Sequence, residues 1–514
     1  MRQSYSTLPK TLSDTPVPQV WWWAIWLGVL LLAGAVYLTG LGREALWLDE
    51  AYTANMVRQT PIAIWRTALN DCHPPLYYLS LWGLVGALGV SPVSLRLLSV
   101  LGALALVLLG AGPVRRAWGA WGGLCFALLV VVTPIMLAMA QEARMYTWAA
   151  FFATATSVYA YLAAVGGRRW DFVALAASLF GAAYTHYWAL VAAALVSSLV
   201  FAWVLVRRRD RAISFGLALV VPALLFLPWV RSLARQLNGC LVNSWISEIN
   251  LSVIGKTFIY PFSFKFSRSE TVAAGALAVG LLAALAVAGV VLGVRRRQPG
   301  AGLAVVGLAG YGLTFLSAIV LSYAVHPILV SRYIVPVLGL LLLPVAFALA
   351  RVVPRPIALA AFGVLALIAV PMLVQVQRER FNGPMDEVAA YVRQNLTTDD
   401  VFVHVSMHSL GPMAYYLPEN QHFMYIPAMP GTNPARFFGP RVTFGSDIDA
   451  YLRGRSRVWL VGCRSLAECE TAADWLAAGK LQPIGEAASF SYPYSWLAVS
   501  LIPVEQRARL NLPR

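Results

Sequence analysis

The chain has 514 residues, of which 59% are hydrophobic and 12% charged, and its formal net charge is +16. A soluble globular domain carries about 25% charged residues, so this composition excludes an ordinary soluble protein and indicates a membrane protein. The positive charge does not indicate nucleic-acid binding, because much of it lies in short arginine clusters between apolar stretches.

Apolar stretches long enough to cross a bilayer as helices recur along the chain. Residues 1–19 are polar and are expected to form a cytoplasmic tail. The first apolar stretch is too long for the core of a cleaved signal peptide, so we interpret it as a retained signal anchor. The pattern predicts an all-α polytopic domain over 20–376 with about eleven transmembrane helices, in a range of eleven to thirteen, at 20–41, 94–112, 118–139, 147–165, 171–188, 189–206, 212–230, 270–294, 301–323, 329–350 and 356–376.

Arginine clusters mark every second connection between these spans. Because positively charged loops stay in the cytoplasm, they predict a cytoplasmic N-terminus and an outward-facing C-terminal segment. The short apolar stretch 74–90 would break this alternation if it crossed the membrane, so we interpret it as a re-entrant or partly inserted helix. The clusters are Arg115-Arg116, Arg168-Arg169, Arg207 to Arg211, Arg295 to Arg297, and Arg351 with Arg355.

The segment 377–514 has a different pattern, in which short predicted strands alternate with helices. This alternation predicts a small α/β domain on the extracytoplasmic side. No metal-ligand spacing is evident, so we expect His404, His408 and His422 to be surface or packing residues. The predicted helices are 385–396, 448–453 and 466–478, and the predicted strands are 401–405, 422–426, 458–461 and 496–502.

Polar residues gather at the outward-facing ends of the predicted spans. Taken singly, each group has a structural explanation: a polar helix end, a cap at a helix start, an ion pair that closes a hairpin, or an arginine that reaches toward the membrane surface. The external loop 43–73 carries the first of them. The groups are Asp49 with Glu50, His73 with Tyr77, Glu142 with Arg144 and Tyr146, Arg332 with Tyr333, and, as a weaker candidate, His186.

Taken together, these groups bring a carboxylate, two arginines and a histidine to one membrane surface. Guanidinium groups bind phosphate through paired hydrogen bonds, and a positioned carboxylate can take the proton of an incoming hydroxyl. A charged group beside hydrocarbon usually has a partner or a function. The pattern therefore favours transfer of a group from a lipid phosphate to a hydroxyl.

The order of the motifs resembles that of the GT-C glycosyltransferases over residues 20–376. The motifs are Asp49-Glu50, His-Pro-Pro-Leu-Tyr-Tyr from His73, Gln-Glu-Ala-Arg-Met-Tyr from Gln141, and Arg332-Tyr333. Within that superfamily the chain is similar to the bacterial branch related to protein O-mannosyltransferases and the aminoarabinose transferase of lipid A (glycosyltransferase family 39 type). The resemblance implies a GT-C fold and a multi-pass enzyme of the bacterial cytoplasmic membrane. Such an enzyme moves a sugar from a polyprenyl-phosphate donor, with inversion, to a hydroxyl of a lipid, glycan or protein.

The resemblance also implies roles for the residues. Asp49 would be the catalytic base, and Glu50 would help to shape the site. A divalent metal at the loop carboxylates is allowed, although the sequence assigns no ligand to it. Donor phosphate contacts fall to His73, which stands where some relatives have lysine, and to Arg144, Arg332 and Tyr333, with supporting roles for Glu142, Tyr146, Tyr77 and His186.

Two alternative functions stay open at this stage. A polymerase or ligase of lipid-linked oligosaccharides could use the 39-residue external loop predicted at 231–269. A transporter or flippase is disfavoured, because the polar residues lie at one face and no inverted repeat is evident. The sequence leaves open the sugar, the acceptor, the oligomeric state and whether Cys463 bonds to Cys469.

Overall fold

The structure of the protein is a computed structural model that describes residues 19–242, 246, 248–263, 269–397, 400–426, 438–453, 455, 457–463, 474–477, 481–493 and 498–506. The chain divides into two compact units. The first consists of Met1–Thr39, Pro61–Leu81 and Arg96–Gln377, and the second of Gly40–Thr60, Trp82–Leu95 and Arg378–Arg514. The second unit thus joins the C-terminal segment with two short pieces of the N-terminal half, which the sequence pattern did not indicate.

The described chain contains nineteen α-helices and seven strands. Short 3-10 helices cover Arg209–Arg211 and Ser331–Val337, and π-helical turns cover Gly110–Val114 and Ala348–Val352. The helices are α1 (Gln19–Leu38), α2 (Leu48–Val57), α3 (Pro61–Ala68), α4 (Leu76–Leu88), α5 (Pro92–Leu108), α6 (Arg115–Val132), α7 (Pro134–Ala140), α8 (Tyr146–Gly166), α9 (Arg169–Thr185), α10 (Tyr187–Arg207), α11 (Ala212–Val242), α12 (Leu251–Ser263), α13 (Ser269–Arg295), α14 (Ala301–Ala324), α15 (Leu338–Phe347), α16 (Arg355–Arg378), α17 (Met385–Asn395), α18 (Met407–Tyr416) and α19 (Ile448–Leu452). The strands are β1 (Val401–His404), β2 (Gln421–Tyr425), β3 (Val442–Gly445), β4 (Val458–Cys463), β5 (Leu481–Pro483), β6 (Ala488–Phe490) and β7 (Val499–Gln506).

Nine helical stretches of the described chain are long and apolar enough to cross a membrane. The sequence predicted eleven spans. Two of these, 94–112 and 118–139, lie in one stretch, Pro92–Val132, where a π-helical turn and a non-helical Gly119 (φ 79°) interrupt the helix. The predicted span 171–188 is α9, whose 17 residues extend about 25 Å, a little less than the hydrocarbon core.

Two further segments differ from a simple reading of hydropathy. The stretch 74–90 contains α4, whose 13 residues extend only about 20 Å, too short for a crossing. The predicted external loop 231–269 is largely helical where it is described: α11 extends to Val242, and α12 covers Leu251–Ser263. One of its polar side chains, Gln236, is buried and donates to the carbonyl of Ala68 at 2.8 Å, which explains why polar residues belong to a helix here.

The centre of the first unit is α15. All ten of its residues are buried, and it packs against α6, α8, α13 and α14. Helix α15 packs closely against α8 and α14 because glycine stands at the contacts. A Cβ on Gly339 would lie 2.0 Å from Thr154 Oγ1, and a Cβ on Gly307 would lie 2.8 Å from the carbonyl of Leu340. Large apolar side chains on other helices, such as Ile213 and Leu367, are exposed, as expected where a helix faces lipid.

The second unit contains a sheet of seven strands in the order β3-β2-β1-β4-β7-β5, with β6 also paired to β7. The first four strands in this order are parallel, and β7 runs antiparallel to β4, β5 and β6. Phe402 and Trp459 pack with α17 on one face, whereas Val403 and Leu460 pack with α19 on the other. Both faces are therefore covered, as parallel strands require.

The elements of this sheet can be compared with the predictions for 377–514. The predicted strands overlap β1, β2, β4 and β7, although β7 ends at Gln506 rather than at 502, and two predicted helices match α17 and α19. Helix α18 and strands β3, β5 and β6 were not predicted. Most of the predicted helix 466–478 lies outside the described residues, although 474–477 are helical. The fold class predicted from the sequence, a polytopic α-helical protein with a small C-terminal α/β part, is confirmed.

Candidate active site

His186 occupies a sharp break between two helices of the first unit. The ring is only 3% exposed, and its extended backbone (φ −159°) separates α9 from α10. Nδ1 caps α10 by accepting the N–H of Trp188 at 3.1 Å. A neutral ring that accepts at Nδ1 carries its proton on Nε2. In the described part of the chain this buried Nε2 has no hydrogen-bond partner, so the residue offers one donor to a ligand.

Three other rings surround this imidazole. The centroid of the His186 ring lies 5.7 Å from that of His73, 5.6 Å from that of Tyr146 and 5.5 Å from that of Tyr333. The four residues come from four separate segments of the chain. The structure therefore brings together residues that the sequence selected from motifs far apart.

Arg144 is buried in the turn between α7 and α8, and the His-Pro-Pro-Leu-Tyr-Tyr motif holds it there. Its guanidinium donates to Tyr78 Oη at 3.2 Å and lies 3.4 Å from His73 Nδ1. Its carbonyl accepts from Ser99 Oγ at 2.9 Å, and the same hydroxyl is 2.9 Å from Tyr77 Oη. Both tyrosines of the motif thus position the arginine, one through the side chain and one through the backbone.

Two guanidinium groups control the charge of this cluster. Burial, followed by the charges of Arg144 and Arg332, lowers the pKa of His186 to about 3. The pKa of His73 is lowered in the same way, first by burial and then by Arg144, His186 and Arg332. Both imidazoles are therefore neutral near pH 7. The positive charge of the cluster belongs to the two arginines.

Acidic and phenolic groups complete the cluster. Asp71 lies 3.9 Å from His73 Nδ1 and accepts from Tyr78 Oη at 3.4 Å. Glu142 is buried in the same turn as Arg144. Tyr260 on α12 lies near it, since burial and then the charge of Glu142 raise the pKa of its phenol. Sequence reasoning missed Asp71, although it precedes His73 by only two residues, and missed Tyr260 because its segment was taken for a loop.

Asp49 and Glu50 belong to the second unit, in the first turn of α2. The partial positive charge at a helix N-terminus stabilises carboxylates there. Glu50 is fully buried, and its Oε2 lies 3.5 Å from Asn382 Nδ2. Asp49 is partly exposed, and its carbonyl accepts from Thr53 Oγ1 at 2.9 Å. Of the two adjacent residues, Asp49 is the more exposed, although its carboxylate oxygen Oδ2 is buried.

A third carboxylate, which the sequence did not single out, fixes the start of this loop. Glu44 accepts the backbone N–H groups of Phe381 at 2.7 Å and Asn382 at 3.0 Å. Asn382 also donates to the carbonyl of Ala45 at 3.2 Å. Since these partners are more than 330 residues apart in sequence, no local pattern could have indicated them.

Solved structures share this arrangement of helices, although no protein-family model and no curated protein sequence matches the chain. ArnT from Cupriavidus metallidurans in the apo state aligns with a TM-score of 0.63 and 16% identity, over 94% of this chain and 97% of that one. The chain has the GT-C fold. The same ArnT bound to undecaprenyl phosphate gives 0.62 and 15%, over 94% and 97%. An oligosaccharyltransferase from Archaeoglobus fulgidus, in complex with zinc and sulfate, gives 0.53 and 12%, over 91% and 73%.

The side chains that the structure describes do not assign a metal site. Among the described residues, no three side chains of histidine, cysteine, aspartate or glutamate gather as ligands. His404 and His422 are buried packing residues, and His408 is partly buried. The question of a Cys463–Cys469 disulfide lies outside the described residues, which omit Cys469.

Proposed function

We propose that this protein is an inverting glycosyltransferase that moves a sugar from a polyprenyl-phosphate donor to a hydroxyl acceptor. The observation that carries the proposal is the cluster of Arg144, Arg332 and the buried Nε2–H of His186. Two guanidinium groups and one neutral donor in a site walled by aromatic rings suit a phosphate that gains negative charge as its bond breaks. In support, one ArnT structure of the same fold holds undecaprenyl phosphate.

In the proposed reaction, the acceptor oxygen attacks the anomeric carbon from the side opposite to the phosphate. A bond forms between these two atoms, and the bond from the anomeric carbon to the phosphate oxygen breaks, which inverts the configuration. The polyprenyl phosphate leaves with the electron pair and is stabilised by Arg144 and Arg332. Asp49 takes the proton of the hydroxyl, because an uncharged hydroxyl is a weak nucleophile.

The contacts of the second unit support Asp49 rather than Glu50 as this base. Glu50 is fully buried and hydrogen-bonded to Asn382, so its carboxylate is held by the fold. Asp49 is only partly buried as a residue, although its Oδ2 is buried, so the choice between the two carboxylates depends mainly on the contact that holds Glu50. A divalent metal remains a prediction, and no step of the proposed reaction uses one. The transfer rate before and after removal of metal ions with EDTA tests it: a lower rate after EDTA would support a metal.

We also propose that the reaction occurs at the outer face of the cytoplasmic membrane, with the N-terminus inside and residues 377–514 outside. The alternation of arginine clusters supports this orientation. Ala390 is an exposed position on α17. An Ala390→Cys variant should therefore react with an impermeant thiol reagent in intact cells, beyond the reaction of the unchanged protein. Labelling only after lysis would place this segment inside.

The alternative of an oligosaccharide polymerase or ligase is less well supported. It depended on a long external loop at 231–269, and the described residues there are mostly in α11 and α12. The loop that suggested this alternative is therefore not a long irregular segment where it is described.

Mass spectrometry of cells with and without the protein tests the proposed function. Without it, one polyprenyl-phosphate sugar should accumulate, and the same sugar should disappear from an envelope lipid, glycan or protein. Accumulation of a lipid-linked oligosaccharide would favour the ligase. Unchanged lipid-linked sugars and unchanged surface glycans would contradict any transferase function.

A further inference from the structure

The second unit contains a pocket of about 400 Å³ at the C-terminal end of α2. Arg58, Gln59 and Asn55 line it from α2 and the residues just after it. His422 and Arg441 line it from β2 and the start of β3. Nothing in the proposed reaction uses this pocket.

The pocket carries two positive charges that the described protein does not neutralise. The Arg58 guanidinium lies 4.9 Å above the ring of Tyr415 and donates to Asn55 Oδ1 at 3.4 Å. Arg441 donates to the carbonyl of Glu419. Within the part of the chain that the structure describes, neither arginine has a carboxylate partner. Both side chains are exposed, and guanidinium groups bind phosphate and carboxylate through paired hydrogen bonds, so both can take part in binding an anion from solution.

The histidine at the floor of the pocket is hydrogen-bonded on both ring nitrogens and uncharged. His422 Nε2 donates to the carbonyl of Leu417 at 3.0 Å, so Nδ1 accepts from His404 Nε2, also at 3.0 Å. Burial lowers the pKa of His422 to about 4, and the ring is therefore neutral at pH 7. The positive charge of the pocket comes from the arginines alone.

We propose that this pocket binds an anionic group of the acceptor, either a phosphate or a carboxylate. The inference rests on the proposed glycosyltransferase function, because α2 also carries Asp49. Arg58 follows Asp49 by nine residues, which corresponds to about 13 Å along a helix and to opposite sides of it. The anion is thus remote from the reacting hydroxyl. The acceptor is then an extended molecule, such as a phosphorylated or uronic-acid glycan, and the pocket contributes to its selection.

Calorimetric titration of the purified full-length protein tests the pocket, with glucosamine 1-phosphate and glucuronate as separate probes. A hydrogen bond to a charged group contributes about 1.5–3 kcal/mol. In the double variant Arg58→Gln with Arg441→Gln, the affinity for at least one probe should therefore fall about 10-fold or more. The probe whose affinity falls shows whether the pocket binds phosphate or carboxylate. Arg453→Gln is the matched control, since Arg453 is exposed in the same unit and does not line the pocket.

The proposed donor site in the first unit also suits a phosphate. The Arg144→Gln variant distinguishes phosphate binding at that site from binding in the pocket. Loss of binding in Arg144→Gln but not in the pocket variants would overturn the inference and leave the proposed function intact. In a transfer assay, the pocket variants should raise the KM for the acceptor about 10-fold with little change in the KM for the donor. An unchanged acceptor KM in folded variants would also overturn it.

Discussion

Replacing Arg144 with glutamine tests the phosphate site of the first unit. The change removes one of two guanidinium groups and leaves a shorter polar side chain. A hydrogen bond to a charged group contributes about 1.5–3 kcal/mol, so the affinity for undecaprenyl phosphate should fall by about 10- to 150-fold. Arg332→Gln should have a comparable effect. The double variant should lose less than the sum, since both groups bind the same phosphate.

The structure also predicts a cost to stability, which must be measured separately. Arg144 is buried and contacts Tyr78 and His73, and glutamine cannot reach both. We expect a loss of about 1–2 kcal/mol from these contacts. The melting temperature without ligand reports this loss, whereas the lipid dependence of the melting temperature reports binding.

The assay follows the melting temperature of the full-length protein in detergent while undecaprenyl phosphate is added. Arg144→Gln should need about 10- to 150-fold more lipid than the unchanged protein for the same rise. Arg66→Gln is the control, because Arg66 is exposed on α3 in the same unit and the charge change is identical. If folded Arg144→Gln and Arg332→Gln bind the lipid as well as the unchanged protein, the cluster is not a phosphate site.

Three further predictions concern the fold. Glu44→Gln replaces one of two accepting oxygens with an NH2 group that cannot accept, so one backbone N–H loses its partner and the other loses a charged acceptor. The free energy of unfolding, measured by denaturation, should fall by about 1–3 kcal/mol, and an unchanged value would show that Glu44 does not stabilise the loop. Gly123→Ala puts a methyl 2.2 Å from a backbone oxygen and should lower the melting temperature, whereas Gly363→Ala meets nothing within 4 Å and should leave it equal or higher. If Gly123→Ala and Gly363→Ala changed the melting temperature equally, Gly123 would not be closely packed against the backbone. Burial lowers the pKa values of His404 and His422, so below about pH 6.5 the unfolded chain binds protons that the folded chain does not. Stability should therefore fall as the pH drops from 6.5 toward 4, less steeply in His422→Gln, and a flat profile would contradict this.

Much of the fold could be predicted because length and hydropathy determine where a helix can cross a membrane. The positions where the helices begin and end could not be predicted as well. Helix α11 continues through a stretch that contains Arg231 and Arg235, because neighbouring apolar residues still pack and polar ones such as Gln236 find buried partners. In the second unit, α18 was missed because it contains Gly411 and Pro412, which usually interrupt helices. Its burial against the sheet outweighs that preference.

The grouping of residues in the candidate site was predictable to the extent that they stand in recognisable motifs. His73, Arg144 and Tyr333 were selected that way, and the structure brings each of them to His186 or to one another. The supporting contacts could not be predicted. Ser99 reaches the backbone of Arg144 across 45 residues, and such pairings arise from helix packing rather than from any local pattern.

The transfer rate of the purified Asp49→Asn variant tests the central claim most directly. A general base contributes about 100- to 10,000-fold to rate, so transfer from a polyprenyl-phosphate sugar should slow by that factor. The affinity for undecaprenyl phosphate and the melting temperature should stay close to those of the unchanged protein, because asparagine has nearly the same shape. A folded Asp49→Asn variant that transfers the sugar at the full rate would contradict the account.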